Sequence, residues 1–328
     1  MGNADFSGMK QALSESHKQF RKGIEASERV KVQGKFNRAV VCGMGGSALP
    51  ADLVSLYLAG DFQVSVNRDY SLPNLLGDDI VFIVSYSGNT EETLAAYGEA
   101  RIAGASVVGF SAGGTLEEWC RRDGVPHVRF PKEAPGFQPR NATGYMFSAM
   151  LNVLANCGAI KSREAEMSAV GEYLEGLDLE AKARELAGTL EGTVPIVYAS
   201  ERMGPLARMW KVKLNENCKI MSFWNTFPEL NHNEMGGYMS GLKGYSFIIL
   251  RDPEDHERVR KRMEMTREEI GKLGGKAIVV DMEGPSLLAR VFGSALLGDW
   301  ISYFLAVGKG TDPAPVRIQE DFKKRLLE

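Results

Sequence analysis

Cysteine is scarce in this sequence and never clustered. Cys42, Cys120, Cys157 and Cys218 lie far apart in 328 residues, and no two show Cys-x-x-Cys spacing. That excludes a disulfide framework as the organising principle, and the reduced thiols of a cytoplasmic protein are expected. Cys42 closes an apolar run and is expected to be a small buried residue rather than a nucleophile. Histidine is equally sparse. His17, His127, His232 and His256 include no His-x-x-x-His pair, so no metal centre is expected. No charge of one sign dominates: Lys and Arg total 39 against 42 Asp and Glu, for a formal net charge of −3. With no basic stripe, a nucleic acid is not expected as the main partner. The most apolar stretch, Leu287 to Val307, is interrupted by Arg290 and Asp299, so no membrane span is expected. The first residues lack a basic region followed by an apolar run, so no signal peptide is expected either.

Glycine, by contrast, is abundant: 36 residues in 328, about 11% against a usual ~7%. The excess has no period. It gathers in short runs such as Gly43–Gly46, which suggests loops shaped by backbone. The length exceeds the ~250–300 residues at which one hydrophobic core stops growing, so two domains are expected. An N-terminal helix is expected over Asp5–Ser27, with Phe6, Met9, Leu13, Phe20 and Ile24 near a 3.6-residue period. Apolar, β-branched runs follow at Ala39–Cys42, Val64–Val66, Ile80–Val84, Ser106–Phe110 and His127–Phe130. Helical patterns lie between them at Ala48–Leu58, Glu91–Ile102 and Thr115–Arg122, and Asn141–Cys157 reads as a further helix. Such alternation predicts an α/β fold with a parallel sheet flanked by helices.

Gly158 to about Leu177 is polar, carries no strand signal and reads as a connector. It predicts a division into residues 1–160 and 161–328. A second alternation follows, with strands at Pro195–Ala199, Tyr245–Leu250 and Ala277–Asp281 and helices at Pro205–Asn217, Asp255–Leu273 and Ser286–Val307. A weak duplication would explain two α/β halves, although no clear identity joins them. Thr311–Val316 reads as a loop and Glu320–Leu327 as a last charged helix.

Two loops in the first half carry chemistry. Val40-Val41-Cys42-Gly43-Met44-Gly45-Gly46-Ser47-Ala48 is a strand entering a glycine-rich turn and a helix, where backbone N–H groups can approach an anion. Gly43, Gly45 and Ala48 also satisfy the Gly-x-Gly-x-x-(Gly/Ala) dinucleotide pattern, with Asp69 about 20 residues on. The second loop, Ser85-Tyr-Ser-Gly-Asn-Thr90, places three hydroxyls at a helix start. One helix cap explains one hydroxyl, not three, and hydroxyls with free amides suit a phosphate monoester. Both loops follow strands, so they should converge at the carboxyl edge of one sheet. A sugar-phosphate pocket is therefore favoured over a dinucleotide site.

The densest chemistry of the second half lies in Lys211–Asn217 and Phe223–Glu234. Glu216 ends an amphipathic helix between Asn215 and Asn217, both poor helix formers. His232 lies between two asparagines. Glu and His together supply general acid–base chemistry if the fold joins them.

Gly43-Met-Gly-Gly-Ser47, Ser85-Tyr-Ser-Gly-Asn-Thr-Glu-Glu-Thr93, Pro139-Arg140, Leu214-Asn-Glu-Asn217, Pro228-Glu-Leu-Asn-His-Asn-Glu234 and Asp312-Pro-Ala-Pro-Val316 together resemble the bifunctional phosphoglucose/phosphomannose isomerase family. The resemblance covers nearly the whole chain and implies two sugar isomerase (SIS) domains. It implies interconversion of glucose 6-phosphate or mannose 6-phosphate with fructose 6-phosphate, without cofactor or metal. Carried over by position, Gly46, Ser47, Ser85, Ser87 and Thr90 would hold the phosphate, and Glu216 would move the proton between C1 and C2. Arg140 would stabilise the cis-enediolate, and His232, from the neighbouring subunit of a homodimer, would assist ring opening. A lysine of the last helix would act at the ring oxygen: Lys323 by its spacing from Pro315, with Lys324 adjacent. Asn141, Thr143 and Ala314 depart from the family's usual residues. Two rival readings remain at this stage. One is a non-catalytic sugar-phosphate sensor, for which no helix-turn-helix precedes Ala39. The other is an NAD-dependent oxidoreductase using Gly43, Gly45, Ala48 and Asp69.

Overall fold

The structure is a computed structural model that describes residues 8–133 and 137–326. Asp5, Phe6 and Leu327, which were expected in the first and last helices, lie outside the described residues. The N-terminal segment is helical but broken: α1 (Met9–Ser14) and α2 (Gln19–Ser27) are separated by a tight turn at Ser16–Lys18.

The first half then winds β1 (Arg38–Gly43), α3 (Leu49–Tyr57), β2 (Gln63–Asn67), β3 (Asp79–Val84), α4 (Glu91–Ile102), β4 (Ser106–Ser111), α5 (Gly114–Asp123) and β5 (His127–Arg129). These five strands form one parallel sheet in the order β2-β1-β3-β4-β5. β1, β3 and β4 are apolar along most of their length because helices cover both faces of a parallel sheet. Arg38 faces Asp79 across the β1–β3 register, and its Nε donates to the Asp79 carboxylate at 2.8 Å. A buried carboxylate is thereby paired at the amino edge, away from the loops that carry function.

A single turn at Pro139–Asn141 leads into α6 (Thr143–Asn156). The polar stretch read as a connector is helical: it contains α7 (Glu164–Glu175), followed by α8 (Glu180–Leu190). Both helices bury only a narrow stripe, Met167, Val170 and Leu174 on α7 and Ala183, Ala187 and Leu190 on α8, so their apolar signal is weak in a polar stretch.

The second half contains β6 (Val194–Ser200), α9 (Gly204–Cys218), β7 (Phe223–Phe227), β8 (Tyr245–Arg251), α10 (Glu257–Lys272), β9 (Lys276–Asp281), α11 (Leu287–Gly308) and α12 (Arg317–Leu326). Its parallel sheet has the order β7-β6-β8-β9, which repeats the β2-β1-β3-β4 order of the first. The duplication suspected from element order is thus present in the topology. β7 went unrecognised in the sequence because it is a five-residue edge strand with polar Asn225 and Thr226, paired only with β6.

One core joins the halves. Phe292 of α11 packs edge-to-face on Phe20 of α2 and Phe147 of α6, with ring centroids 4.8 and 4.9 Å apart. α11 is long and apolar enough to cross a membrane by length and composition, yet 83% of its most apolar window is buried inside the fold. Its two charges are internal: Arg290 pairs with Asp252 and Asp299 with Lys213. These are the features of a core helix.

Candidate active site

In both sheets the central pair of strands marks the point where the chain turns outward in opposite directions. The crevice beyond their carboxyl ends is where α/β folds bind ligands. In the first sheet this crevice lies between β1 and β3, and the two glycine- and serine-bearing loops flank it. They are tied together, because the Tyr86 backbone N–H donates to Ser47 Oγ at 3.1 Å. Gly88 has φ +72°, and a Cβ there would fall 1.8 Å from the Gly113 carbonyl oxygen, so this turn requires glycine. Ser85 is fully buried. Its hydroxyl donates to Thr90 Oγ1 at 2.9 Å and accepts from the Thr90 backbone N–H at 3.4 Å. Ser85 therefore sets the position of Thr90, while Ser87 is exposed and Thr90 partly so. The side chain of Thr90, the residue before α4, makes no cap to the helix backbone. Ser87 Oγ accepts from the Asn89 backbone N–H at 3.3 Å, within the same turn.

Arg140 arrives at the same place from the turn before α6. Gly46 lets it in: a Cβ at Gly46 would sit 2.5 Å from the Arg140 backbone nitrogen. The Arg140 side chain is only 2% exposed. Its Nε donates to Asn217 Oδ1 at 2.6 Å, and its Nη1 to Glu216 Oε2 at 3.0 Å. Its Nη2 donates to the carbonyls of Pro313 and Ala314 at 2.8 and 3.0 Å. Burial lowers its pKa, and the charges of Glu216 and Asp299 oppose that shift.

Glu216 and Asn217 stand in the last turn of α9, with the Glu216 side chain 23% exposed. The asparagines that looked out of place in a helix both have partners. Asn217 Nδ2 donates to Ser302 Oγ on α11 at 2.8 Å, and Asn215 Nδ2 to the Ile220 carbonyl at 2.8 Å. One turn earlier, the buried Lys213 donates to the Arg140 carbonyl and ion-pairs with Asp299 at 2.7 Å. Burial raises the Asp299 pKa, against the pull of Lys213 and Arg140. In the sequence Lys213 lies within the chemically dense Lys211–Asn217 stretch without a role of its own, and Asp299 reads as an interruption of an apolar run.

The remaining expected residues lie farther out. Lys323 lines a pocket of about 360 Å³ with Asn89, Thr90 and Phe322, whereas Lys324 lies 3.9 Å from Asp321 on an open surface. Of the two candidate lysines, Lys323 is thus the one beside the serine loop. His232 is exposed, and its side chain has no hydrogen bond or ion pair among the described residues. Among the described residues no hydrogen bond or ion pair joins it to Arg140 or Glu216. Its loop is pinned from beneath by Glu234, whose carboxylate accepts from Tyr198 Oη and from Asn225 Nδ2 at 2.5 Å. Cys42 is buried at the end of β1, and burial pushes its thiol up to about 12, which leaves it unreactive.

The matching crevice of the second sheet, between β6 and β8, is filled by the protein's own charges. Asp252 accepts from Arg202 at 2.6 Å and from Arg290 at 2.8 Å, while Ser200 Oγ donates to Asp255 at 2.5 Å.

A family model for the bacterial phospho-glucose isomerase C-terminal SIS domain matches residues 179–326. Over 94% of this chain and 96% of its own length, a bifunctional phosphoglucose/phosphomannose isomerase of Caldicellulosiruptor bescii is 33% identical. One of Aquifex aeolicus is 36% identical over 89% and 91%. Among solved structures, the C-terminal domain of glucosamine-fructose-6-phosphate aminotransferase from Francisella tularensis matches with a TM-score of 0.73, covering 94% of this chain and 98% of that one at 14% identity. That likeness shows the fold, and the family model places a SIS domain over residues 179–326.

Proposed function

The chain belongs to the bifunctional phosphoglucose/phosphomannose isomerase family and is a phosphosugar isomerase; we propose that Glu216 and Arg140 carry out its aldose–ketose step. The observation that carries this reading is the 3.0 Å contact between a carboxylate and a buried guanidinium beside a hydroxyl-lined crevice. The substrates are glucose 6-phosphate and mannose 6-phosphate, each interconverted with fructose 6-phosphate. Ser47, Ser87 and Thr90 grip the phosphate, with Gly46 giving backbone access and Ser85 holding Thr90. Neutral hydroxyls, free amides and the start of α4 are sufficient donors for a phosphate monoester.

In the open-chain aldose, the Glu216 carboxylate removes the proton from C2. The C2–H electrons form the C1–C2 double bond, and the carbonyl π electrons move to O1. The cis-enediolate so formed gains the permanent charge of Arg140, already desolvated and held by five acceptors, so little reorganisation is needed. Glu216 returns the proton to C1, the hydroxyl proton passes between O2 and O1, and the ketose results. Both aldoses lose C2–H to give a common enediolate, and because their C2–H bonds lie on opposite faces, Glu216 serves both when rotation about C2–C3 turns each hydrogen towards its carboxylate.

His232 and Lys323 complete ring opening in this reading. The His232 side chain is exposed and has no hydrogen-bond or ion-pair partner among the described residues, which suits delivery across a homodimer interface. The division at residues 160 and 161 separates labour: the first half grips phosphate and the second brings the base. Four free cysteines support a reducing, cytoplasmic setting. The test is a coupled assay of the purified chain for fructose 6-phosphate formed from each aldose phosphate. Glu216→Gln should lower kcat at least about a hundredfold and leave phosphate binding intact. Wild-type turnover in that variant would remove Glu216 as the base.

A further inference from the structure

Among the described residues, Lys219 is the only non-glycine with positive φ, at φ 55° and ψ 40°. It follows directly on α9, the position where left-handed backbone normally selects glycine or asparagine. A lysine kept in a strained conformation next to a candidate base calls for a reason. Its ammonium supplies one. Nζ donates to the Glu216 carbonyl at 2.5 Å and to the Pro313 carbonyl at 3.0 Å. The second acceptor is shared, since Arg140 Nη2 donates to the same Pro313 oxygen at 2.8 Å. Two cations therefore converge on one carbonyl of the loop that precedes α12. That loop is itself tied by Asp312, which accepts from the Ala314 backbone N–H at 3.0 Å.

We propose that Lys219 is a positioning residue for the isomerase step, locking the helix turn that carries Glu216 to the Pro313–Ala314 segment that holds Arg140. The inference rests on the reading of Glu216 as base. Left-handed backbone turns the chain so that the amine folds back over the last turn of its own helix, and the four-carbon stem spans to the loop. Partial desolvation and the nearby Arg140 charge lower the lysine pKa, while Asp312, Cys218 and Glu216 oppose them. A simple helix cap would explain the bond to the Glu216 carbonyl. It would not explain the bond to Pro313, the acceptor shared with Arg140.

The two explanations separate experimentally. Lys219→Gly removes the amine and relieves the backbone strain at once. If Lys219 positions Glu216 and Arg140, Lys219→Gly melts at or above the wild-type temperature, its kcat for glucose 6-phosphate falls at least tenfold, and its KM stays within twofold. KM is spared because the phosphate loops are untouched. Wild-type kcat in Lys219→Gly, with Glu216→Gln inactive, overturns this inference and leaves the function standing. Activity in Glu216→Gln overturns the function first. Should Lys219→Gly melt early, Lys219→Arg decides, because it keeps the charge and reach. Near-wild-type turnover in that variant supports positioning, and turnover as low as in Lys219→Gly overturns it.

Discussion

Arg140 and Glu216, 76 positions apart in the chain, meet at 3.0 Å across the two halves of the fold. One comes from the turn before α6, the other from the last turn of α9. Their contact exists only while both halves are packed on the shared core, so neither half should be active alone. The supporting bonds have the same origin: Asn217 reaches Arg140 from α9, and Pro313 and Ala314 reach it from the loop before α12.

Arg140→Lys tests the guanidinium. A lysine keeps the charge but offers three donors from one point, and cannot serve a carboxylate, an amide and two carbonyls in different directions. A kcat loss of about 10²–10³-fold is expected, as for the loss of an aligned oxyanion donor. Unpaired buried acceptors should also lower stability by about 2 kcal/mol. Turnover assays and thermal melts read the two effects apart, and an unchanged kcat would exclude Arg140 from enediolate stabilisation.

Gly46→Ala tests the approach of the glycine loop to Arg140. The new methyl would lie 2.5 Å from the Arg140 nitrogen and 2.8 Å from its Cα, both backbone atoms that cannot rotate away. Loop and turn must separate, at about 1–3 kcal/mol for an overpacked contact. KM for the sugar phosphate should rise, and binding of inorganic phosphate should weaken with it. A variant with wild-type KM and melting temperature would show that the two segments need not touch.

Arg38→Leu tests the ion pair at the far edge of the first sheet. The Arg38 guanidinium holds the Asp79 carboxyl below its ordinary pKa, against the effect of burial. A folded pKa below the unfolded value of ~3.9 gives stability that is present above that pH. It is lost as pH falls through the folded pKa. Removing the arginine leaves a buried carboxylate unpaired and should cost about 3 kcal/mol at pH 7. The gap between wild type and variant should narrow below about pH 4. Urea midpoints at pH 7 and pH 3 check both statements, and a gap that does not change with pH would refute the pairing.

Much of this fold was legible locally. Burial on both faces of a parallel sheet demands continuous apolar runs, so β1, β3, β4, β6 and β8 were apparent in order and nearly in extent. Asn217 was marked by its unsuitability for a helix, and it has partners in Arg140 and Ser302. β7 was hidden because a short edge strand pairs on one side and tolerates polar residues. α7 and α8 were hidden because each shows the core only a narrow stripe.

The sequence by itself determined two α/β windings, the two strand-to-helix turns at Gly43–Ser47 and Ser85–Thr90, and the kinds of group available for acid–base work. Only the tertiary structure decided which charges become neighbours. Lys213 with Asp299, Lys219 with Pro313 and Arg140 with Glu216 are each joined by packing between segments far apart in the chain. Periodicity reports which face of an element is buried, not which distant group it will meet there. Partner choice among buried charges is therefore settled by the fold.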